Sequence, residues 1–141
     1  MRSSAAWLKY LIILIPLVVQ AQIQDMHVSG TVEKYFDRNR TSPVLMSAEV
    51  VDDYIYGRTL KISIRGRRNR ENEDIGFAFG AASAIASKAT TPFETLWVEM
   101  DVRYKTIETT IAVAPAPCSI DAIVRKTKSF GSWWGECLTF L

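Results

Sequence analysis

The sequence predicts an α+β domain: a small β-β-α-β-β unit with one helix packed on a largely antiparallel sheet, followed by a disulfide-closed C-terminal tail. Three observations point there. Thr59-Leu-Lys-Ile-Ser-Ile-Arg65 alternates apolar and polar residues, as a strand with one buried and one wet face requires. Leu96, Val98, Met100, Val102 and Tyr104 alternate in the same way with Trp97, Glu99, Asp101, Arg103 and Lys105. Between these runs Ile75, Phe79, Ala82 and Ala86 recur at helical spacing. Two antiparallel pairs then flank a single crossover helix.

The chain opens with Arg2 and Lys9, an apolar run from Tyr10 to Val19, and small residues at Val19 and Ala21. This order reads as a secretory signal peptide over residues 1–21, cleaved after Ala21. The run is shorter than the roughly 20 residues needed to span a bilayer, and Pro16 interrupts it. Left uncleaved, this segment would be the one membrane contact. The predicted location is periplasmic or secreted. Cleavage removes 21 of 141 residues and leaves 120, the size of one domain. The leader holds two of the 17 basic residues and no acid, which leaves 15 basic against 15 acidic residues. A chain without net charge is not built as a general nucleic-acid binder.

Residues 22–43 are expected to be irregular, with Met26 to Val32 as a possible strand and Asp37 to Pro43 as polar turn material. The domain proper is placed at 44–141. Leu45 to Tyr56 is rich in β-branched and aromatic residues and reads as its first strand. Gly57-Arg58 punctuates the chain before the Thr59–Arg65 strand. Arg67 to Asp74 is a charged connection in which Asn69 or Asn72 can cap the helix, while Glu73 and Asp74 suit its positive end. Gly76, Gly80 and Ala84 make a smooth stripe, read as the surface that docks on the sheet. Thr90-Thr-Pro92 stops the helix. After the Leu96–Lys105 strand, a turn near Lys105-Thr106 leads to a strand with Thr109, Ile111 and Val113 on one side. Ala114-Pro-Ala-Pro117 ends it. The expected core is Leu60, Ile62, Ile64, Val98, Met100, Val102, Ile111 and Val113 beneath Ile75, Phe79, Ala82 and Ala86.

Cys118 and Cys137 are the two cysteines, and in an oxidising compartment they are expected to pair. Zinc would need more ligands than these and His27, the one histidine, so no metal or other cofactor is expected. Two sets of residues suit catalysis on paper. Glu99 and Asp101 project from one strand face, with Asp52-Asp53 as a further acidic pair, and Cys118 could act with His27. Cross-strand charge pairing explains the acids as well as catalysis does.

Arg65, Arg67, Arg68 and Arg70 crowd one connection and suit an anionic partner, either a protein or an anionic component of the cell envelope. Trp97 stands on the polar side of its strand, and Trp133 and Trp134 lie in the tail. Those tryptophans are a second candidate binding set, or else the tail folds across the Trp97 face and buries them. These features favour an exported, non-catalytic binding or accessory protein of the envelope. A small exported hydrolase and a structural subunit of an envelope assembly are the alternatives.

Overall fold

Period-two alternation builds the sheet that organises the molecule. The computed structural model describes residues 22–141, so the expected signal peptide lies outside the described residues. Helix α1 (Asp25–Asp37) precedes strands β1 (Val44–Asp53) and β2 (Gly57–Gly66). Helix α2 (Glu71–Ala86) then crosses to β3 (Thr95–Arg103) and β4 (Ile107–Pro115). The tail contains a short α3 (Ala116–Ser119), a π-turn at Ile120–Val124, α4 (Phe130–Glu136) and a final β5 (Thr139–Phe140). The five strands lie in the order β1-β2-β3-β4-β5. Neighbours are antiparallel except β2 and β3, which run parallel because α2 carries the chain back between them. The predicted α+β layout and the closed tail are the observed ones.

Register decides which side chains meet α2. Leu60, Ile62 and Ile64 stand opposite Leu96, Val98 and Met100, and all six are buried. Ile75, Phe79, Ala82 and Ala86 of α2 cover them, each at most 7 % exposed. Each large apolar side chain sealed there contributes about 1.5–3 kcal/mol relative to exposure. Strand β4 corrects the expected core. Leu96 and Val98 face Ala114 and Ala112, so these alanines join the core while Ile111 and Val113 turn to the opposite side, where Val113 is still buried at 5 % exposure and Ile111 is half-buried. The small residues leave room for the tail, which packs behind them.

The segment expected to be irregular, or a strand, forms α1. Val28, Val32 and Phe36 are buried at spacings of four. That stripe emerges only when the window is extended past Val32 to Phe36. Phe36 meets Phe77 of α2 edge-on at 5.1 Å, and Asp25 forms an ion pair with Arg58 at the start of β2.

Three further expectations change. The Gly76–Gly80–Ala84 stripe lies on the side of α2 turned from the sheet, where a Cβ at Gly80 would meet only Tyr35 Oη, at 3.8 Å. Neither asparagine caps α2. Arg70 holds the N-cap position without a side-chain bond, and Asn69 adopts φ 66°, reversing the chain just before the helix. Finally, the tail packs on the helix side of the sheet rather than across Trp97. Trp133 is fully buried against Phe79, with ring centroids 5.2 Å apart, and its Nε1–H donates to Ser119 Oγ at 2.8 Å. A buried indole needs an acceptor, and Ser119 supplies it there. The Cys118–Cys137 disulfide, with Cα atoms 6.5 Å apart, ties α3 to the end of α4.

Candidate binding face

Among the described residues, the helices cover one side of the sheet only. On the other side the registers assemble four-residue rungs across β1, β2, β3 and β4. One runs Glu49, Lys61, Trp97, Val113; the next Ser47, Ser63, Glu99, Ile111; the third Val44, Arg65, Asp101, Thr109. Most of these residues are exposed or half-buried, which sets this face apart from the sealed one. Arg103 and Ile107 pair just beyond the third rung.

Trp97 occupies the middle of this face. Lys61 Nζ sits 4.8 Å from its ring centroid, and Tyr56 meets it edge-on at 5.6 Å. Its indole Nε1 is buried and, among the described residues, has no hydrogen-bond partner. The face is therefore amphipathic, aromatic at its centre and charged around it. Tyr56 joins it because Asp53 shapes the turn before it. Asp53 Oδ1 accepts from the backbone N–H groups of Ile55 at 2.8 Å and Tyr56 at 2.9 Å. Those two donors, Tyr56 first, hold the Asp53 carboxyl below its ordinary range.

The four candidate arginines separate into different roles. Arg65 is exposed on the open face, within the third rung. Arg67 turns inward: Asp74, wholly buried, accepts from its backbone N at 2.8 Å, its Nε at 3.3 Å and its Nη2 at 2.5 Å. Arg67 Nη2 also donates to the Thr41 carbonyl at 2.8 Å, so this side chain fastens the β2–α2 connection to the loop after α1. Its guanidinium is committed to the fold. Arg68 lies over the Tyr104 ring at 4.9 Å, and Tyr104 donates its hydroxyl to Glu71. That bond lowers the Glu71 carboxyl and raises the Tyr104 phenol. Arg70 is exposed.

The tryptophans separate too. Trp133 is sealed in the core and cannot touch a ligand. Trp134 is half-buried among Phe130 and Phe140, with ring centroids 5.9 Å from each, on the helix side of the molecule. There it helps line an apolar groove with Asn72, Glu73, Gly76, Phe77 and Phe130.

The disulfide and cross-strand bonds engage several of the residues suited to catalysis. Cys118 is oxidised in the disulfide and holds no thiolate, and His27 is exposed on α1. Glu99 accepts from Ser63 Oγ at 3.2 Å, and Asp101 Oδ1 from Thr109 Oγ1 at 2.7 Å, both across strands.

At the Arg65 end of the open face a trough of about 260 Å³ crosses all four strands, lined by Met46, Arg65, Asp101, Arg103 and Ile107. Sequence reading missed Met46, Arg103 and Ile107. Arg103 was visible as a polar alternate beside Asp101, but its proximity to Arg65 follows from the β2–β3 register.

No family model matches this chain, and no curated protein or solved structure matches it. Among the described residues, no helix is long and apolar enough to cross a membrane.

Proposed function

We propose that this is an exported, non-catalytic binding or accessory protein of the cell envelope, and that the uncovered sheet face is its recognition surface. One observation carries the reading: helices seal one side of the sheet while the other presents Tyr56, Trp97 and Lys61 beside Arg65 and Arg103. A sheet that needs only one face for its core has the other free for a partner. The Cys118–Cys137 disulfide fits an oxidising compartment, as the leader does. Strand addition, which a structural subunit would use, gains less support. The outer strand β1 is bulged between Leu45 and Ser47 and carries Glu49, Asp52 and Asp53, features that discourage edge pairing.

The test is comparative capture from the protein's own envelope extract, with wild type and a Lys61→Glu/Arg65→Glu variant immobilised in parallel. Both residues lie on the open face, so the variant should fold normally. A component retained by wild type and lost by the variant is expected. An identical set of captured components from both would remove the open face as the binding surface.

A further inference from the structure

The trough at the Arg65 end of the open face has a more specific chemistry. We infer that it receives a single carboxylate side chain, aspartate or glutamate, from an extended segment of a protein partner. This rests on the open-face reading and names the group recognised.

Size argues first. About 260 Å³ falls below the roughly 300–1,000 Å³ typical of sites that enclose a whole small molecule. The trough suits one side chain of something larger. Charge argues next. Arg65 and Arg103 bring two guanidinium groups, and among the described residues neither forms an ion pair. Asp101 brings one carboxylate, with Oδ1 already accepting from Thr109. The lining therefore carries a net single positive charge, which balances a monoanion. A phosphate near pH 7, approaching two negative charges, would meet Asp101 as a repulsive neighbour. Guanidinium groups also match the planar carboxylate through paired N–H donors. The walls complete the argument. Met46 and Ile107, 49 % and 63 % exposed, stand at the two ends on β1 and β4. They give apolar contact to residues flanking the acid, and the free Asp101 oxygen can accept a backbone N–H.

The probe is the capped peptide acetyl-Leu-Glu-Leu-amide, titrated into the purified protein while backbone and arginine side-chain NMR signals are followed. Its glutamine counterpart, inorganic phosphate and phosphatidylglycerol vesicles serve as the comparison ligands. Saturable shifts at Arg65, Asp101, Arg103 and Thr109 are expected, with a Kd on the order of 1 mM for so small a ligand. Arg65→Gln and Arg103→Gln should each weaken binding about tenfold or more, because each removes a charge-assisted contact. Both side chains are exposed, so the unfolding midpoint should stay unchanged. Equal shifts from the glutamine peptide, insensitivity to both arginine variants, or tighter binding of phosphate or vesicles than of the peptide would each overturn the inference. The two readings fail separately. If only the trough is wrong, Lys61→Glu alone still abolishes partner capture; if the whole face is wrong, that variant has no effect either.

Discussion

Replacing Arg67 with glutamine should destabilise the fold far more than replacing Arg70, although both lie in the same basic connection. Asp74 is wholly shielded from solvent and receives three of its hydrogen bonds from Arg67, two of them from the guanidinium. Without the guanidinium, a buried carboxylate keeps only the Arg67 backbone N–H as a donor in that group. Removing one partner of a buried pair costs about 3–5 kcal/mol. The Arg67 side chain is 37 % exposed, so water can reach the vacated position and the lower end applies, about 3 kcal/mol. For a domain held by about 5–15 kcal/mol that is a large fraction. In urea, with m about 1.5 kcal/mol/M, the midpoint should fall by roughly 2 M. Arg70→Gln, whose side chain is exposed, should stay within about 0.5 kcal/mol of wild type. A double variant, Arg67→Met with Asp74→Leu, removes both charges and should recover most of the loss. About 1 kcal/mol should remain missing because the Arg67 N–H loses its acceptor. Urea unfolding followed by tryptophan fluorescence and far-UV circular dichroism measures all three. Equal midpoints for Arg67→Gln and Arg70→Gln would refute the structural role of this pair. The sequence alone treats Arg67, Arg68 and Arg70 as interchangeable surface charges, and the pair with Asp74 overturns that for Arg67.

Three further outcomes are expected. Gly80→Ala should stabilise by about 0.5–1 kcal/mol, because helix propensity improves and the new methyl meets only Tyr35 Oη at 3.8 Å; Gly76→Ala should gain less, since Phe130 Cζ stands 3.3 Å away. Thermal unfolding of both variants checks this. Ser119→Ala should cost about 1–3 kcal/mol by leaving the buried Trp133 Nε1–H without an acceptor, and Trp133→Phe a similar amount or more by orphaning Ser119 and opening space; denaturant midpoints decide. Acid should weaken the fold through Asp25, Asp53 and Glu71, whose carboxyls are lowered chiefly by bonds from Arg58, the Tyr56 backbone N–H and the Tyr104 hydroxyl. Folded-state values below the unfolded ones give stability that is present above about pH 4 and lost as pH falls through the folded values, so the urea midpoint should be level above about pH 5 and decline below it.

The strands with strict alternation were legible, and so was α2, because periods of two and 3.6 are written directly in residue order. Helix α1 was not, since its stripe is complete only at Phe36 and Gly30 and Thr31 interrupt its helix propensity. The face of β4 was misread for a related reason. Ile111 and Val113 are larger than Ala112 and Ala114, and size alone argues that the larger pair is inside. The register with β3 puts the alanines inward, where their small side chains leave room for the tail that packs against this strand. At the candidate site, Arg65 and Trp97 were legible as polar-face residues of regular strands. Arg103, Met46 and Ile107 were not, because a trough that crosses four strands exists only after pairing.

The division between the two sheet faces also separates folding from recognition. On the sealed face the large side chains are apolar and buried, so a substitution at Ile62, Phe79 or Trp133 changes stability before it can report on binding. On the open face the charges are exposed or half-buried and contribute little to the fold. Lys61, Arg65 and Arg103 can therefore be reversed in sign singly or together while the unfolding midpoint serves as the internal control. Asp101 is the informative exception. It bonds Thr109 across the β3–β4 ladder and also lines the trough, so Asp101→Asn should keep the Thr109 bond and alter only the charge. If the trough selects a monoanion, that change raises its net charge toward two. Affinity for inorganic phosphate should then rise relative to the glutamate peptide, while the fold stays as it was. A variant whose preference between the two anions is unchanged would show that Asp101 takes no part in selection.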